Sequence, residues 1–377
     1  MLTLILKSLT ACNLRCSYCS VGSKECVAAL TEKQMLEALE FFVKYAHEKG
    51  ENQVNIIFHG GEPMLLPAEQ YDICIRNLIQ NHSDFKFRFC MQTNGTILSE
   101  KYLNLFRTHR IHIGISLDGG QEIHDKQRLD ISGAGTYKTV MEHIHVLQEN
   151  QIPVSALMVL TKPALLSSLD FLKEFALLKI PLKINPLMSL GEAVKHPELF
   201  LEPGEYGRYL AKVFEYIAEE NLDLFLSPLD ELLYNILDEN NPRGCHRNPH
   251  CHRRFLCVGA DKQIYPCGRF ADVYEHKLGT IETGITKEGE RILDMLEARR
   301  TTNLPTECQT CQYLKYCYAG CSSDQAWDKT RMQPSANCED IKYLIHYLKT
   351  KGMEILRRQL LEERVKLLRS QEDKYGL

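Results

Sequence analysis

Between residues 2 and 187, short apolar runs alternate with longer amphipathic stretches, and this alternation is the strongest constraint on the fold. The runs are "LTLILKSL", "QVNIIFHG", "FKFRFCMQT", "IHIGISLDG", "PVSALMVL" and "PLKINPL". Between them, helical spacing predicts helices from about Thr31 to Lys49, with Thr31 as N-cap, and over 68–80, 99–107, 137–150 and 164–177. Strand–helix–strand repetition predicts an α/β fold with a mostly parallel sheet. Six strands are too few for an eight-fold barrel, so the expectation is a partial (βα)6 TIM-like barrel with its chemistry at the carboxyl ends of the strands. With 377 residues, 44% of them hydrophobic, the chain has ample material for a core.

Unusual residues gather at those strand ends. "HGGEP" (His59 to Pro63) ends the second strand, "QTNG" (Gln92 to Gly95) the third and "SLDG" (Ser116 to Gly119) the fourth. Each is also an ordinary turn sequence, since Asn-Gly and Asp-Gly favour positive φ. Their coincidence on one rim, with three cysteines after the first strand, points to a site.

The chain carries fifteen cysteines, six between Cys12 and Cys90 and nine between Cys245 and Cys338. A net charge of −4 and a pI near 6.4 offer no basic field for nucleic acid. Met1 leads directly into "LTLILKSL", without a charged leader, and no later run reaches membrane-spanning length. The expected location is cytoplasmic, where disulfides are disfavoured and metal or cluster ligation is the better account of so many thiols. Cys12, Cys16 and Cys19 provide three ligands where a closed zinc site or a fully ligated cluster needs four. Either Cys26 completes a structural site or one position stays open.

"CNLRCSYC" resembles the Cys-x3-Cys-x2-Cys motif of radical S-adenosylmethionine (radical SAM) enzymes, and "GGEP", "QTNGT", "GISLDG" and "HDKQR" followed by "GTYKTV" extend the resemblance. These motifs are similar to those of anaerobic sulfatase maturases and of enzymes that modify ribosomally made peptides. The resemblance implies a [4Fe–4S] cluster on Cys12, Cys16 and Cys19, whose fourth iron binds S-adenosylmethionine (AdoMet). It also implies cofactor contacts from Tyr18, Gly60, Gly61, Glu62, Gln92, Asn94, Ser116, Asp118 and Arg128. The glycine pair is expected to admit the cofactor closely, Glu62 to accept from its ammonium group, Ser116 and Asp118 to meet the ribose, and Arg128 to pair with its carboxylate. His124 and Asp125 are expected to order the loop that presents Arg128.

The second cysteine group contains Cys308-x2-Cys311-x5-Cys317-x3-Cys321 and a distal Cys338. It is similar to the SPASM extension, which holds two auxiliary [4Fe–4S] clusters and would bring the total to three. The resemblance implies Cys251, Cys257, Cys267 and Cys321 for the nearer cluster and Cys308, Cys311, Cys317 and Cys338 for the farther, with Cys245 spare. Two four-thiolate zinc ribbons are the alternative use of eight thiols. The family's glycine five residues before Cys267 is Lys262 here, and the turn is expected at "GADK" around Gly259. Cys74 and Cys90 read as buried thiols. The domain expectation is a barrel over 1–200, a helical linker over 201–244, a cysteine-rich domain over 245–340 and a C-terminal helix over 341–377.

The reaction implied is reductive cleavage of AdoMet to a 5′-deoxyadenosyl radical that takes a hydrogen atom from a peptide. Implied partners are a precursor peptide or protein substrate and an electron donor such as flavodoxin or ferredoxin. Sulfatase maturases commonly carry aspartate immediately after the cysteine equivalent to Cys267, but here Gly268 follows. This favours peptide crosslinking over formylglycine formation, with Asp272 or Asp261 as base. A non-enzymatic metal scaffold is the remaining reading. Because Met1 already lies at the first strand, no separate N-terminal peptide-recognition domain is expected.

Overall fold

The structure is a computed structural model and describes residues 1–21, 28–239, 243–272, 274–327 and 332–358. Six parallel strands follow one another in the sheet: β1 (Leu2–Lys7), β2 (Gln53–His59), β3 (Lys86–Thr93), β4 (His112–Ser116), β5 (Val154–Leu160) and β6 (Leu182–Pro186). Their helices are α1 (Glu32–Glu48), α2 (Ala68–Asn81), α3 (Glu100–His109), α4 (Gln121–Gln127), α5 (Tyr137–Glu149) and α6 (Phe171–Leu177). The sheet does not close on itself, as a partial barrel requires. Alternation along each strand sends one set of side chains, such as Leu2, Leu4, Leu6, Val54, Ile56 and Phe58, into the apolar layer, all of them buried. Register pairs Leu6 with Phe58 and Lys7 with His59, so the polar residues ending both strands share the opposite face.

Local chemistry explains the helix boundaries. Thr31 caps α1 in a reciprocal box with Gln34. The helix expected over 164–177 is divided into a 3₁₀ segment, Lys162–Leu166, and α6. Ser168 bonds Asp170 through side chain and backbone, which competes with continued helix. Helix α4 was not expected, because seven residues are too few to show a period.

The described residues after β6 extend the sheet at both edges and pack beside it. Helix α7 (Glu205–Glu219), strand β7 (Leu226–Ser227) and helix α8 (Leu229–Leu237) follow β6, which β7 pairs in parallel. At the other edge, β8 (Phe255–Val258) pairs in parallel with β1, and β9 (Gln263–Tyr265), β10 (Gly279–Thr280) and β11 (Gly284–Ile285) continue antiparallel. The first part of the cysteine-rich segment thus extends the barrel sheet, and β1 is spared from being an edge. Beyond it lie α9 (Gly268–Asp272), α10 (Lys287–Thr301), α11 (Thr306–Gln309), α12 (Leu314–Cys317), the small ribbon β12 (Gln325–Trp327) and β13 (Met332–Ser335), and α13 (Cys338–Tyr347). A π turn, Leu348–Gly352, leads into α14 (Met353–Arg358). The C-terminal helix therefore starts at Cys338, and α13 packs on α7. The rest of that expected helix, 359–377, lies outside the described residues, as does Cys26. Among the described residues no helix is long and apolar enough to cross a membrane.

Candidate active site

The three-cysteine loop after β1 is held by backbone on both sides. Gly61 and Glu62 donate their N–H groups to Leu9 and Ala11 carbonyls, both at 2.8 Å, and Arg15 N–H donates to Leu129 O at 2.8 Å. A Cβ on Gly61 would lie 2.0 Å from Ala11 O, and one on Gly60 2.5 Å from Leu9 O. The glycine pair is thus required first by the cysteine loop, whose backbone passes against it. A third support was not foreseen: Glu192 N–H donates to Cys19 O at 2.9 Å, beside Gly191 at φ +58°. A positive-φ glycine in "SLGEAV" was the available signal.

Asp118 is the hub of the rim. It is fully buried. Its Oδ2 accepts from Arg128 Nε at 2.9 Å and from the Tyr18 hydroxyl, and its Oδ1 accepts from Val159 N–H at 2.9 Å. The Arg128 guanidinium stands 5.3 Å from the Tyr18 ring centroid, and its Nη1 lies 3.9 Å from Cys16 Sγ. Burial works against the Arg128 charge, but Asp118, Tyr18 and Cys16 more than offset it. His124 Nδ1 accepts from Asp118 N–H at 3.2 Å, while its Nε2 meets Thr136 Oγ1, which donates to Arg128 O at 2.8 Å. Asp125 accepts from Tyr137 N–H at 2.8 Å. His124 and Asp125 therefore order the segment presenting Arg128.

Glu62, also fully buried, ties β2 to β3. Its Oε1 accepts from Met64 N–H at 2.9 Å and Thr93 Oγ1 at 2.7 Å, and its Oε2 accepts from Asn94 N–H at 2.7 Å. Burial raises its pKa against these donors. Asn94 reaches Asn13 Oδ1 at 2.9 Å and Cys12 Sγ at 3.7 Å. Gln92 donates to Ser116 Oγ at 3.2 Å, with room left by Gly114, where a Cβ would fall 2.4 Å from Gln92 Oε1. The rim residues read from sequence thus form three hydrogen-bonded sets, one reaching Cys16 through Arg128, one reaching Cys12 through Asn94 and one joining Gln92 to Ser116, although Asp118 and Glu62 spend their oxygens on protein donors. Burial pushes the Cys16 thiol up to about 12, Arg128 opposes this, and Cys19 and Cys12 add to it.

The other cysteines fall into two groups. Cys308, Cys311, Cys317 and Cys338 line a single cavity. Charges on Cys245, Cys321 and Cys267 all act on Cys251, with Arg300 Nη1 at 3.3 Å from its sulfur. Cys257 sits on β8, wholly buried, and the charges acting on it are those of Lys7, Asp272, Cys267 and Asp261. Cys267 thus acts on both Cys251 and Cys257, while Cys245 and Cys321 act on Cys251. Among the described residues no three cysteine, histidine or carboxylate side chains converge on one point. Cys74 is buried and Cys90 partly so, and burial pushes both thiols up to about 12.

Asp272 and Asp261 line one cavity of about 200 Å3 with Lys7, Gly60 and Tyr274. Asp272 pairs with Lys7 and accepts from Ser20 Oγ at 3.0 Å. Lys7 was missed in the sequence, although a lysine closing an apolar strand was a visible signal. Asp261 accepts from Tyr265 Oη at 2.6 Å and Gln263 N–H at 3.2 Å, which fixes the β8–β9 turn. In that turn Lys262 has φ +64°, the left-handed geometry that explains the glycine expected there.

A family model of the radical SAM superfamily matches residues 6–172. The cysteine-type anaerobic sulfatase-maturating enzyme of Clostridium novyi is 30% identical over 327 residues, covering 82% of this chain and 84% of that one. The chain belongs to the radical SAM superfamily, in the family of the anaerobic sulfatase-maturating enzymes. The serine-type enzyme of Bacteroides thetaiotaomicron is 26% identical over 355 residues, covering 86% of this radical SAM maturase and 83% of that protein. Native anSMEcpe with bound AdoMet shares the fold, with a TM-score of 0.81 at 22% identity over 95% of this chain and 100% of that one. Streptococcus suis SuiB bound to precursor peptide SuiA shares it less closely, with a TM-score of 0.61 at 18% identity over 85% and 72%.

Proposed function

We propose that this maturase cleaves AdoMet reductively and oxidises a Cys or Ser side chain of a peptide or protein substrate to formylglycine. The observation that carries the reading is the 30% identity to a cysteine-type sulfatase-maturating enzyme across 82% of the chain. Cys12, Cys16 and Cys19 would hold a [4Fe–4S] cluster with one iron open to AdoMet, and the Asp118–Arg128–Tyr18 network would shape the cofactor pocket with Gly60, Gly61, Glu62, Gln92, Asn94 and Ser116. Cys308, Cys311, Cys317 and Cys338 would hold one auxiliary cluster. For the other, Cys251, Cys267 and Cys321 would be joined by Cys245 or by Cys257, with Arg300 and Arg269 donating toward Cys251 and Cys321. When bound, these groups supply the radical and the electron acceptor.

The chain's own contribution is a carboxylate for the substrate proton. Positions 268 and 272 lie four apart on α9, hence on one face. A Cβ at Gly268 would already touch Lys7 Cε at 3.5 Å, and the acid stands one turn later, where Lys7 and Ser20 hold it. A substrate thiol or hydroxyl entering the cavity loses its proton to Asp272, with Lys7 keeping that carboxylate oriented. Asp261, which lines the same cavity, is the second candidate. The reductant would be a small electron carrier such as flavodoxin or ferredoxin.

Peptide crosslinking is the second reading, favoured by Gly268, and the fold shared with SuiB bound to a precursor peptide supports a peptide substrate. The test is anaerobic incubation of reconstituted protein, AdoMet and reductant with sulfatase-derived Cys and Ser peptides and with short precursor peptides. Capture of the product by a hydrazide supports the first reading. A hydrazide-silent product lacking two hydrogens, formed from a precursor peptide while the sulfatase peptides stay unchanged, moves the assignment to the second.

A further inference from the structure

Two buried arginines, Arg247 and Arg300, and the partly buried Arg269 lie near the second cysteine group. Arg300 reaches Cys251 Sγ at 3.3 Å, and Arg269 reaches Cys321 Sγ at 3.5 Å. Arg247 is buried as deeply as Arg300. It is 1% exposed, and its Nη1 meets Glu231 Oε2 at 3.2 Å, yet its Nε and Nη2 are buried without a hydrogen-bond partner. Two unmet donors on one buried guanidinium are costly enough to imply an acceptor other than protein.

The cavity Arg247 lines, about 40 Å3, is also lined by Cys317, Cys321 and Arg269. Arg247 is also among the positive charges acting on Cys317. A free anion would meet the Asp324 carboxylate, which lines the same space together with the two thiols. Sulfur belonging to a cluster on Cys317 is an acceptor already in place there.

We propose that Arg247 donates through Nε and Nη2 to the sulfur of the auxiliary cluster held by Cys308, Cys311, Cys317 and Cys338, and thereby raises that cluster's reduction potential. The inference rests on the auxiliary-cluster reading above. A reduced cluster carries one more negative charge than an oxidised one, so charge-assisted donors to its sulfur favour reduction. Glu231 holds Arg247 in position from the opposite side.

The experiment is an anaerobic potentiometric titration followed by electron paramagnetic resonance, with iron and sulfide assayed on the same full-length, reconstituted samples. Arg247→Gln alone would strand the buried Glu231 charge, so it is combined with Glu231→Gln, which keeps the net charge unchanged. Arg247→Lys, retaining charge without the fork, is the second variant. The double variant is expected to keep full iron while one auxiliary midpoint moves to more negative potential and the other stays in place; Arg247→Lys moves the same midpoint by less. Intact iron with both auxiliary midpoints unmoved overturns the inference and leaves a buried water as the acceptor. Wild-type protein that takes up only one cluster's iron overturns the auxiliary-cluster reading itself, a result separable from the first.

Discussion

Replacing Asp118 with asparagine isolates the residue on which the cofactor rim converges. The carboxylate receives three donors, namely Arg128 Nε, the Tyr18 hydroxyl and Val159 N–H, and no part of it is exposed. An amide in its place turns one oxygen into a donor, so in either orientation an N–H faces another donor. It also removes the negative charge beside a guanidinium whose side chain is only 8% exposed. Breaking one partner of a buried ion pair costs about 3–5 kcal/mol. Tyr18→Phe, which removes one hydrogen bond to a charged group, should cost about 1.5–3 kcal/mol. Pairing Asp118→Asn with Arg128→Met removes the stranded charge and should recover about 1–3 kcal/mol of the loss. Urea unfolding by circular dichroism, read at the first transition, measures the stability, and equilibrium dialysis of AdoMet measures the pocket. An Asp118→Asn protein within about 0.5 kcal/mol of wild type would refute the account of this hub.

Protonation of His124 should destabilise the rim in acid. Burial, opposed by Asp118 but reinforced by Arg128, lowers its pKa from 6.5 to about 4. Its Nδ1 accepts from Asp118 N–H, so the added proton would oppose a donor. Because the folded value lies below the unfolded one, the stabilisation is complete above about pH 6.5 and is lost as pH falls toward about 4, by about 2 kcal/mol at pH 5. His124→Gln should flatten that part of the urea midpoint-versus-pH curve. Lys262→Gly, relieving the left-handed backbone at φ +64°, should stabilise the protein by about 1 kcal/mol, visible as a higher urea midpoint without a change in slope. Cys12, Cys16 and Cys19 changed together to Ala should leave about eight of about 12 irons. One of Cys245→Ser and Cys257→Ser should lose auxiliary iron where the other does not, and iron analysis of each variant decides between them.

The barrel was legible because its signal is periodic. Leu2, Leu4 and Leu6, then Val54, Ile56 and Phe58, alternate as half-buried strands do, and Thr31 with Gln34 wrote the start of α1 into the sequence. The rim was legible as a set of residues but not as a circuit. Nothing in "SLDG" says that Asp118 spends both oxygens on Val159, Arg128 and Tyr18, because those partners are up to 100 positions away. A further demand on Gly60 and Gly61 was hidden for the same reason: the backbone of Leu9 and Ala11 crowds them. Cysteine spacing could not show that Cys257 lies on a strand paired with β1, a contact between segments about 250 residues apart. Lys7 and Asp272 are joined by that same pairing and were equally invisible as a pair.

The most direct test of the central claim, that this chain takes a hydrogen atom from a Cys or Ser side chain, is isotope transfer in a single anaerobic reaction. A sulfatase-derived peptide with its target cysteine deuterated at the β-carbon is incubated with reconstituted protein, AdoMet and reductant, and 5′-deoxyadenosine is analysed by mass spectrometry. The account predicts deuterium in the 5′-deoxyadenosine, matched by aldehyde in the peptide and absent with the Cys12, Cys16 and Cys19 triple variant. Aldehyde formed while the 5′-deoxyadenosine stays unlabelled, or labelling that persists in the triple variant, would contradict it.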